Sequence, residues 1–257
     1  MESTRVRRSD SGPAVVLSPH LDDAVLSAWS VLRAPGPLLV VNVCTAIPPP
    51  LPVPRWDRLT GARDAAERMR ERIEEDRRAL ALAGREPLNL DFLDCQYGGE
   101  APSPDEVAAA VAAAVPEASA LHAPAAIGGH ADHVSVRAAA LELAAASGVP
   151  LALYAEWPYA VRFGWPHWVT GQAPDPQRLP EVDWEGALGS IPGGAESLRP
   201  EVVHLTEGEA EAKLGAMRTY ATQFTAMDAG DVHRLASPAL LPHELRWHAG
   251  AQRRIPN

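Results

Sequence analysis

The 257-residue chain contains only two cysteines, has no long apolar run and carries more acidic than basic residues. Cys44 and Cys95 each end an apolar run, which is typical of buried thiols and predicts neither a disulfide framework nor a thiolate metal site. No stretch approaches the roughly 20 consecutive apolar residues that a membrane-spanning helix needs. The formal net charge of -10 argues against binding to nucleic acid or anionic lipid. The N-terminal residues are polar and lack the apolar segment of a secretory signal, so we expect a cytoplasmic protein.

Short apolar runs alternate with helical patterns along the chain, which is typical of an α/β fold. Strands are predicted over residues 14–18, 38–44, 88–93, 120–127, 150–154 and 202–205, and helices over 22–33, 57–84, 104–115, 133–147 and 207–220. This alternation predicts a Rossmann-like, mainly parallel sheet flanked by helices. The G-x-G-x-x-G phosphate fingerprint is missing after the first strand, which argues against a dinucleotide enzyme.

We expect residues 1–257 to form a single domain, because neither a low-complexity linker nor an internal repeat divides the sequence. Residues 1–12 are expected to be a flexible N-terminus. Residues 155–200 are rich in proline, glycine and tryptophan and show weak periodicity, which predicts an irregular insertion over the sheet edge. The residues after the last predicted helix are expected to form a short irregular tail.

Two polar motifs follow predicted strands. PHLDD occupies residues 19–23, after the first strand, and GHADH occupies residues 129–133, after the fourth. Ligand sites in open parallel sheets form at the carboxyl ends of strands, so both motifs should lie on one side of the sheet. Neighbouring buried carboxylates repel each other, and a divalent cation removes that penalty. A single motif of this kind could be explained by helix capping alone, because aspartate favours the start of a helix. A second motif of the same kind at another strand end favours a metal site. Histidine together with carboxylate suits Zn²⁺ or Fe²⁺.

Charge considerations separate the two aspartates of the first motif. Two neutral histidines and one carboxylate leave a Zn²⁺ site with net positive charge, so that the ion stays Lewis acidic. One of Asp22 and Asp23 is therefore expected to bind the metal and the other to face the water as general base. His20 and Asp23 are three residues apart and can converge as the helix begins, whereas Asp22 can point to the substrate side.

The paired PHxDD and HxDH motifs resemble those of the zinc-dependent de-N-acetylases of the GlcNAc-phosphatidylinositol deacetylase type, the PIG-L/LmbE family. The resemblance covers roughly residues 14–225 and implies a Rossmann-like fold. It implies that His20, Asp23 and His133 bind the metal and that Asp22 is the catalytic base.

The second motif supplies the remaining catalytic residues that the resemblance implies. His130 would stabilise the oxyanion, and Asp132 would orient His130. The leaving amine would take its proton from Asp22 or from His130. Leu21, Ala24 and Ala131 depart from the residues usual in the family, and none of the three is an expected ligand or proton carrier.

We therefore predict a metal-dependent hydrolase that removes an N-acetyl group from a small-molecule, amino-sugar-containing substrate such as a glycoconjugate or natural product. The expected cofactor is Zn²⁺, with Fe²⁺ as the other option. The resemblance implies that Arg72 helps hold the substrate, with an ion pair to Glu75 or Asp76 as its alternative role. Asp94 at a strand end and Trp157 in the tryptophan-rich segment are further candidates for substrate binding, with a turn role and a core position as their alternatives. Homo-oligomerisation is left open.

Two alternative functions fit the same residues less fully. One is an amidase that acts on a non-sugar amide with the same metal centre, which product analysis would distinguish. The other is a catalytically inactive sugar-binding protein, against which the intact set of six motif residues argues.

Overall fold

The computed structural model describes residues 12–171, 184–227 and 235–249. Its strands are β1 (Ala14–Ser18), β2 (Leu38–Asn42), β3 (Pro87–Asn89), β4 (Ala120–Pro124), β5 (Leu151–Tyr154), β6 (Leu198–His204) and β7 (His243–Ala249). Its helices are α1 (Asp23–Ser27), α2 (Trp29–Leu32), α3 (Arg55–Leu59), α4 (Ala65–Leu82), α5 (Cys95–Gly98), α6 (Pro104–Ala114), α7 (Ala131–Ser147), α8 (Trp157–Phe163), α9 (His167–Thr170), α10 (Trp184–Leu188), α11 (Glu207–Met217) and α12 (Ala221–Met227). Among the described residues, no helix is both long and apolar enough to cross a membrane.

The seven strands form one sheet in the order β3-β2-β1-β4-β5-β7-β6, in which β7 alone runs antiparallel to its neighbours. Val15, Val16 and Leu17 of the central strand β1 are fully buried, as expected of a parallel strand covered on both faces. The chain order reverses direction between β1 and β4, so the loops that follow these two strands separate and open a crevice. The predicted Rossmann-like, mainly parallel α/β fold is confirmed, and both polar motifs lie at this crevice.

The prediction of one long helix over residues 57–84 is wrong, because two helices, α3 and α4, cover this range. Gly61 interrupts it with a positive φ of 81°, a conformation that favours glycine. Asp64 then starts α4 as its N-cap and accepts a hydrogen bond from the backbone N–H of Glu67 at 2.7 Å. The cap satisfies one of the free N–H groups at the helix start.

The prediction of an irregular tail after the last helix is also wrong, because this part of the chain contains β7, which lies between β5 and β6 in the sheet. The sequence of β7 does not predict a buried strand, because it includes the acidic residue Glu244, whose carboxylate is buried. That carboxylate accepts hydrogen bonds from Nζ of Lys213 at 2.7 Å and from the backbone N–H of Trp29 at 2.9 Å. The second contact also explains why the helix predicted over residues 22–33 breaks at Ala28, between α1 and α2.

The predicted insertion over residues 155–200 contains, in its described part, three short α-helices, α8, α9 and α10, a 3-10 helix over Ala195–Ser197 and the first residues of β6. Three of its tryptophans pack as a chain of rings, with Trp165 between Trp157 and Trp184 at centroid separations of 5.9 and 5.7 Å. These rings extend the apolar core toward β7 through Trp247. The flexible N-terminus predicted for residues 1–12 falls almost wholly outside the described residues and stays a prediction.

Candidate metal centre and active site

The first polar loop is held by hydrogen bonds within itself. At the end of β1, Oγ of Ser18 donates to the carbonyl of His20 at 2.6 Å and accepts from the backbone N–H of Ala24 at 3.0 Å. Oδ2 of Asp23, the first residue of α1, accepts from the backbone N–H of His20 at 2.9 Å. The loop therefore closes on itself, and the His20 ring and the Asp23 carboxylate face the same point.

The second polar loop carries backbone strain between β4 and α7. Ala126 has a φ of 57°, a left-handed conformation that costs a non-glycine residue roughly 1–2 kcal/mol. Gly128 passes so close to Tyr159 that a Cβ atom there would lie 2.0 Å from the tyrosine ring. His130 then caps α7, so His133 projects from its first turn toward His20.

Three atoms from these loops form a nearly equilateral triangle. Nδ1 of His20, Oδ2 of Asp23 and Nε2 of His133 are separated by 3.2 to 3.3 Å. A tetrahedral ion with ligand distances near 2.05 Å requires ligand atoms about 3.3 Å apart. Two imidazoles and one carboxylate are also a donor set of catalytic zinc sites. These three side chains therefore fit a divalent cation.

His130 also lies near this triangle, since ring nitrogens of His20, His130 and His133 fall within 4.8 Å of one another. We favour the Asp23 set over this three-histidine set for the metal, because each of its separations matches a tetrahedral edge. It also supplies an anionic ligand to neutralise part of the cation's charge.

Each of the two histidines of the triangle has a carboxylate behind it. Oδ2 of Asp132 lies 2.9 Å from Nε2 of His20, and Oε1 of Glu156 lies 2.9 Å from Nδ1 of His133. Glu156 is fully buried, and its other oxygen accepts from the backbone N–H of Ile127 at 3.2 Å. Carboxylates in this position fix the tautomer and orientation of a metal-binding imidazole.

Glu156 is a site residue that the sequence reasoning missed. It lies 23 positions beyond His133, with which no local spacing connects it. The available signal was a glutamate two residues after the end of β5, at the carboxyl edge of the sheet.

The electrostatic field at the triangle favours a positive charge. Burial lowers the pKa of His133, but the carboxylates of Asp23 and Glu156 outweigh burial and raise it to about 9. The pKa of His20 is likewise raised well above its usual value, against burial, by Asp94, Asp132 and Asp23. Burial would raise the pKa of Asp23, yet the two histidines hold it below its usual range. A field that stabilises protons on two imidazoles also stabilises a cation between them.

Asp22 and His130 lie beside the triangle and line the same cavity. Burial and the neighbouring Asp23 carboxylate raise the pKa of Asp22 to about 6. Burial and the positive charge of His20 and His133 lower the pKa of His130. Nδ1 of His130 is buried and has no hydrogen-bond partner among the described residues.

The structure pairs Asp132 differently from the expectation that it orients His130. Its Oδ2 hydrogen bonds His20 at 2.9 Å, whereas Nδ1 of His130 lies 3.8 Å from the same oxygen. The role of Asp132 as the partner of His130 therefore stays a prediction.

A cavity of about 400 Å³ opens above these residues. Its lining includes residues of the two motifs, the polar side chains of Asp94 and Gln96, and the larger side chains of Trp56, Met69 and Tyr159. The cavity volume falls within the range of small-molecule sites, and mixed apolar walls with a few polar groups are usual for them.

Comparison with known proteins identifies relatives that share this architecture. No protein-family model matches the chain. The chain is 38% identical over 176 residues to the 2'-N-acetylparomamine deacetylase of Streptomyces fradiae, a match that covers 61% of this chain and 60% of that protein. The chain thus spans about three fifths of the length of this curated relative.

Two solved structures have the same fold over nearly the whole chain. The A40926 pseudoaglycone deacetylase has a TM-score of 0.67 and 26% identity, and the match covers 94% of this chain and 98% of that one. A teicoplanin deacetylase, solved in a zinc-inhibited form, has a TM-score of 0.69 and 23% identity, with 94% and 99% coverage. These relatives are deacetylases of the LmbE/PIG-L type, and the chain is similar to them in sequence and in fold. The resemblance inferred from the motifs is confirmed.

The three predicted substrate-binding residues have different surroundings. Arg72 lines the cavity, where its guanidinium donates to Oδ1 of Asp57 at 2.7 Å and lies 3.3 Å from the hydroxyl of Tyr97. Asp94 also lines it and accepts hydrogen bonds from the backbone N–H and the side-chain amide of Gln96, each at 2.9 Å.

Trp157 is not at the cavity wall, which corrects the prediction that it binds substrate. It is 1% exposed and packs in the core, with Nζ of Lys213 5.0 Å from its ring centroid. It directly follows Glu156 as the first residue of α8, so its side chain turns inward. Trp56 lines the cavity instead, oriented by a hydrogen bond from its Nε1 to Oε1 of Gln223 at 2.7 Å.

Proposed function

We propose that the protein is a metal-dependent N-deacetylase that hydrolyses the acetamide of an amino-sugar-containing small molecule. The observation that carries the proposal is the triangle of His20, Asp23 and His133 at 3.2 to 3.3 Å, with Asp22 and His130 lining the cavity beside it. The homologous deacetylases support the reaction class.

His20, Asp23 and His133 would hold the metal, for which we propose Zn²⁺ first and Fe²⁺ second. When bound, a divalent cation supplies Lewis acidity that polarises an amide carbonyl and activates water. The Asp132 and Glu156 carboxylates keep the two imidazoles oriented toward the cation by accepting their outer N–H groups.

Asp22 is proposed as the proton carrier of the reaction. With a pKa raised to about 6, it is largely ionised at neutral pH and still basic enough to accept a proton from the attacking water. The pKa of His130 is lowered, so its imidazole is neutral at neutral pH and carries no extra proton to give to the leaving amine. We therefore assign to Asp22 the return of that proton to the leaving nitrogen.

His130 is proposed to stabilise the developing oxyanion as a neutral hydrogen-bond donor. Its Nδ1 is buried, so the donor toward the cavity would be Nε2–H. A preorganised donor at this place typically lowers the activation barrier by about 3–4 kcal/mol.

The cavity favours a neutral or cationic amino sugar over an anionic one. Asp22 and Asp94 line it as carboxylates, and the charge of Arg72 is already paired with Asp57. Negative walls attract ammonium groups and repel phosphate or uronate groups. The relative named for 2'-N-acetylparomamine supports a substrate with several amines, such as an N-acetylated aminocyclitol glycoside.

Acetate release from a panel of N-acetylated compounds tests the proposal. The metal-loaded protein should release acetate from N-acetylated aminoglycoside intermediates faster than from an N-acetylated sugar phosphate. Release of acid from simple non-sugar amides alone would instead favour the amidase alternative. Saturable sugar binding without any acetate release would favour an inactive binding protein.

A further inference from the structure

A second group of possible metal ligands lies beside the proposed catalytic triangle. Cys95 begins α5 after β3, and His130 and Asp132 come from the start of α7. Their ligand atoms all lie within 4.8 Å of one another. Three separate donors thus converge without any contribution from Asp23 or His133.

Two atoms of this group are buried and have no partner. Oδ1 of Asp132 and Nδ1 of His130 are inaccessible and make no hydrogen bond within the part of the chain that the structure describes. Asp132 as a whole is 0% exposed. Unpaired buried polar atoms are disfavoured, and an ion or another ligand that contacts them would satisfy them.

We propose that Cys95, His130 and Asp132 form a second site for a thiophilic divalent cation such as Zn²⁺ or Cd²⁺. A thiolate with an imidazole and a carboxylate suits borderline and soft ions and discriminates against Mg²⁺ and Ca²⁺. The cysteine pattern alone predicts no such site, because Cys95 acquires its partners only when α5 packs beside the second polar loop.

The other cysteine provides a weaker set. Cys44, His20 and Asp132 also lie within 4.8 Å of one another, but His20 is already committed to the first triangle. Cys44 is 1% exposed, whereas Cys95 is partly exposed. Since both sets need Asp132, only one of them can be filled at a time.

Occupation of the second site should inhibit the enzyme. The ion would bind Nδ1 of His130 and the Asp132 carboxylate, which would draw His130 from the position proposed for the oxyanion donor and Asp132 from its hydrogen bond with His20. This effect rests on the proposed function, whereas the existence of the site does not. One equivalent of Zn²⁺ should therefore support activity, and excess Zn²⁺ should suppress it.

The test uses Cd²⁺ as a probe on the full chain preloaded with one equivalent of Zn²⁺. Cadmium thiolate charge-transfer absorption reports a bond from cysteine sulfur to the ion. We expect it to rise to one equivalent in the wild type and in Cys44→Ala, and to be absent in Cys95→Ala. Absorption that persists in Cys95→Ala, or that disappears in Cys44→Ala, would overturn the assignment. This signal does not depend on any deacetylase activity, so the site can stand even if the proposed function fails.

Inhibition gives a second readout. The reference for each protein is its own activity at one equivalent of Zn²⁺. The Zn²⁺ concentration that halves this activity should be roughly tenfold higher or more in Cys95→Ala than in the wild type, because one ligand is lost. It should stay the same in Cys44→Ala. An equal inhibition curve in the two variants would contradict the inhibitory role.

Discussion

Glu156 and His133 are both buried, and Oε1 of Glu156 lies 2.9 Å from Nδ1 of His133. A carboxylate can only accept, so Nδ1 carries a proton, and Nε2 is the nitrogen that can give its lone pair to a cation. Nε2 is the atom that lies 3.2 Å from Oδ2 of Asp23. The contact thus sets both the tautomer and the direction of a proposed metal ligand.

Replacing Glu156 with glutamine should weaken metal binding. The amide has one acceptor oxygen for two donors, Nδ1–H of His133 and N–H of Ile127, so one of them loses its partner. Loss of such a support typically costs about 10–100-fold in metal affinity. Competition with a chelator measures that affinity, and Glu142→Gln on the exposed face of α7 is the control. Equal affinity in both variants would show that Glu156 does not orient the ligand.

Replacing Asp22 with asparagine should remove the proton carrier and leave the metal in place. We expect kcat to fall by roughly 100-fold or more, the usual contribution of a general base. Metal content should be unchanged, because Asp22 is not one of the three converging ligands. Asp105→Asn, in the first turn of α6 and exposed, should behave as wild type. Full activity in Asp22→Asn would assign the base elsewhere.

Gly128→Ala should change substrate binding through Tyr159. The added Cβ would lie 2.0 Å from the Tyr159 ring, so this cavity-lining ring must move. We expect KM for the acetylated substrate to rise several-fold. Gly215→Ala is the matched control, because nothing lies within 4 Å of its Cβ position in α11. That change should leave KM unaltered and stabilise the protein by about 0.5–1 kcal/mol in urea unfolding. Unchanged KM in Gly128→Ala would mean that Tyr159 does not contact the substrate.

His122 should contribute a loss of stability in acid. Burial, with the nearby positive charges of Arg246 and His248, lowers its folded-state pKa to about 4. The unfolded chain takes up the proton near pH 6.5 and the folded chain does not, so stability falls as the pH drops from about 6.5 to 4. His122→Gln should flatten this part of the curve of unfolding free energy against pH. His167→Gln, at the exposed start of α9, should not. A His122→Gln curve parallel to that of the wild type would contradict the shift.

The sequence predicted the fold and the positions of the polar motifs because both depend on local patterns. The buried run of β1 ends directly before PHLDD, and β4 ends shortly before GHADH. The sequence could not show which of Glu156 and Trp157 faces the site. Adjacent residues at a strand end turn to opposite sides, and only the packing of the folded chain decides which side is the site. The strand β7 was missed because its buried Glu244 is satisfied by Lys213, 31 residues away in sequence. The roles of the individual site residues, the cytoplasmic location and the oligomeric state stay predictions.

The most direct test of the central claim is the metal content of the purified protein beside a His20→Ala/His133→Ala double variant. The account predicts about one Zn²⁺ or Fe²⁺ per chain in the wild type, as for a mononuclear catalytic site. The double variant should lose this ion and remain folded, while a His167→Ala control should retain it. A wild-type protein that binds neither ion after incubation with each, or a double variant that keeps its metal, would contradict the proposed centre.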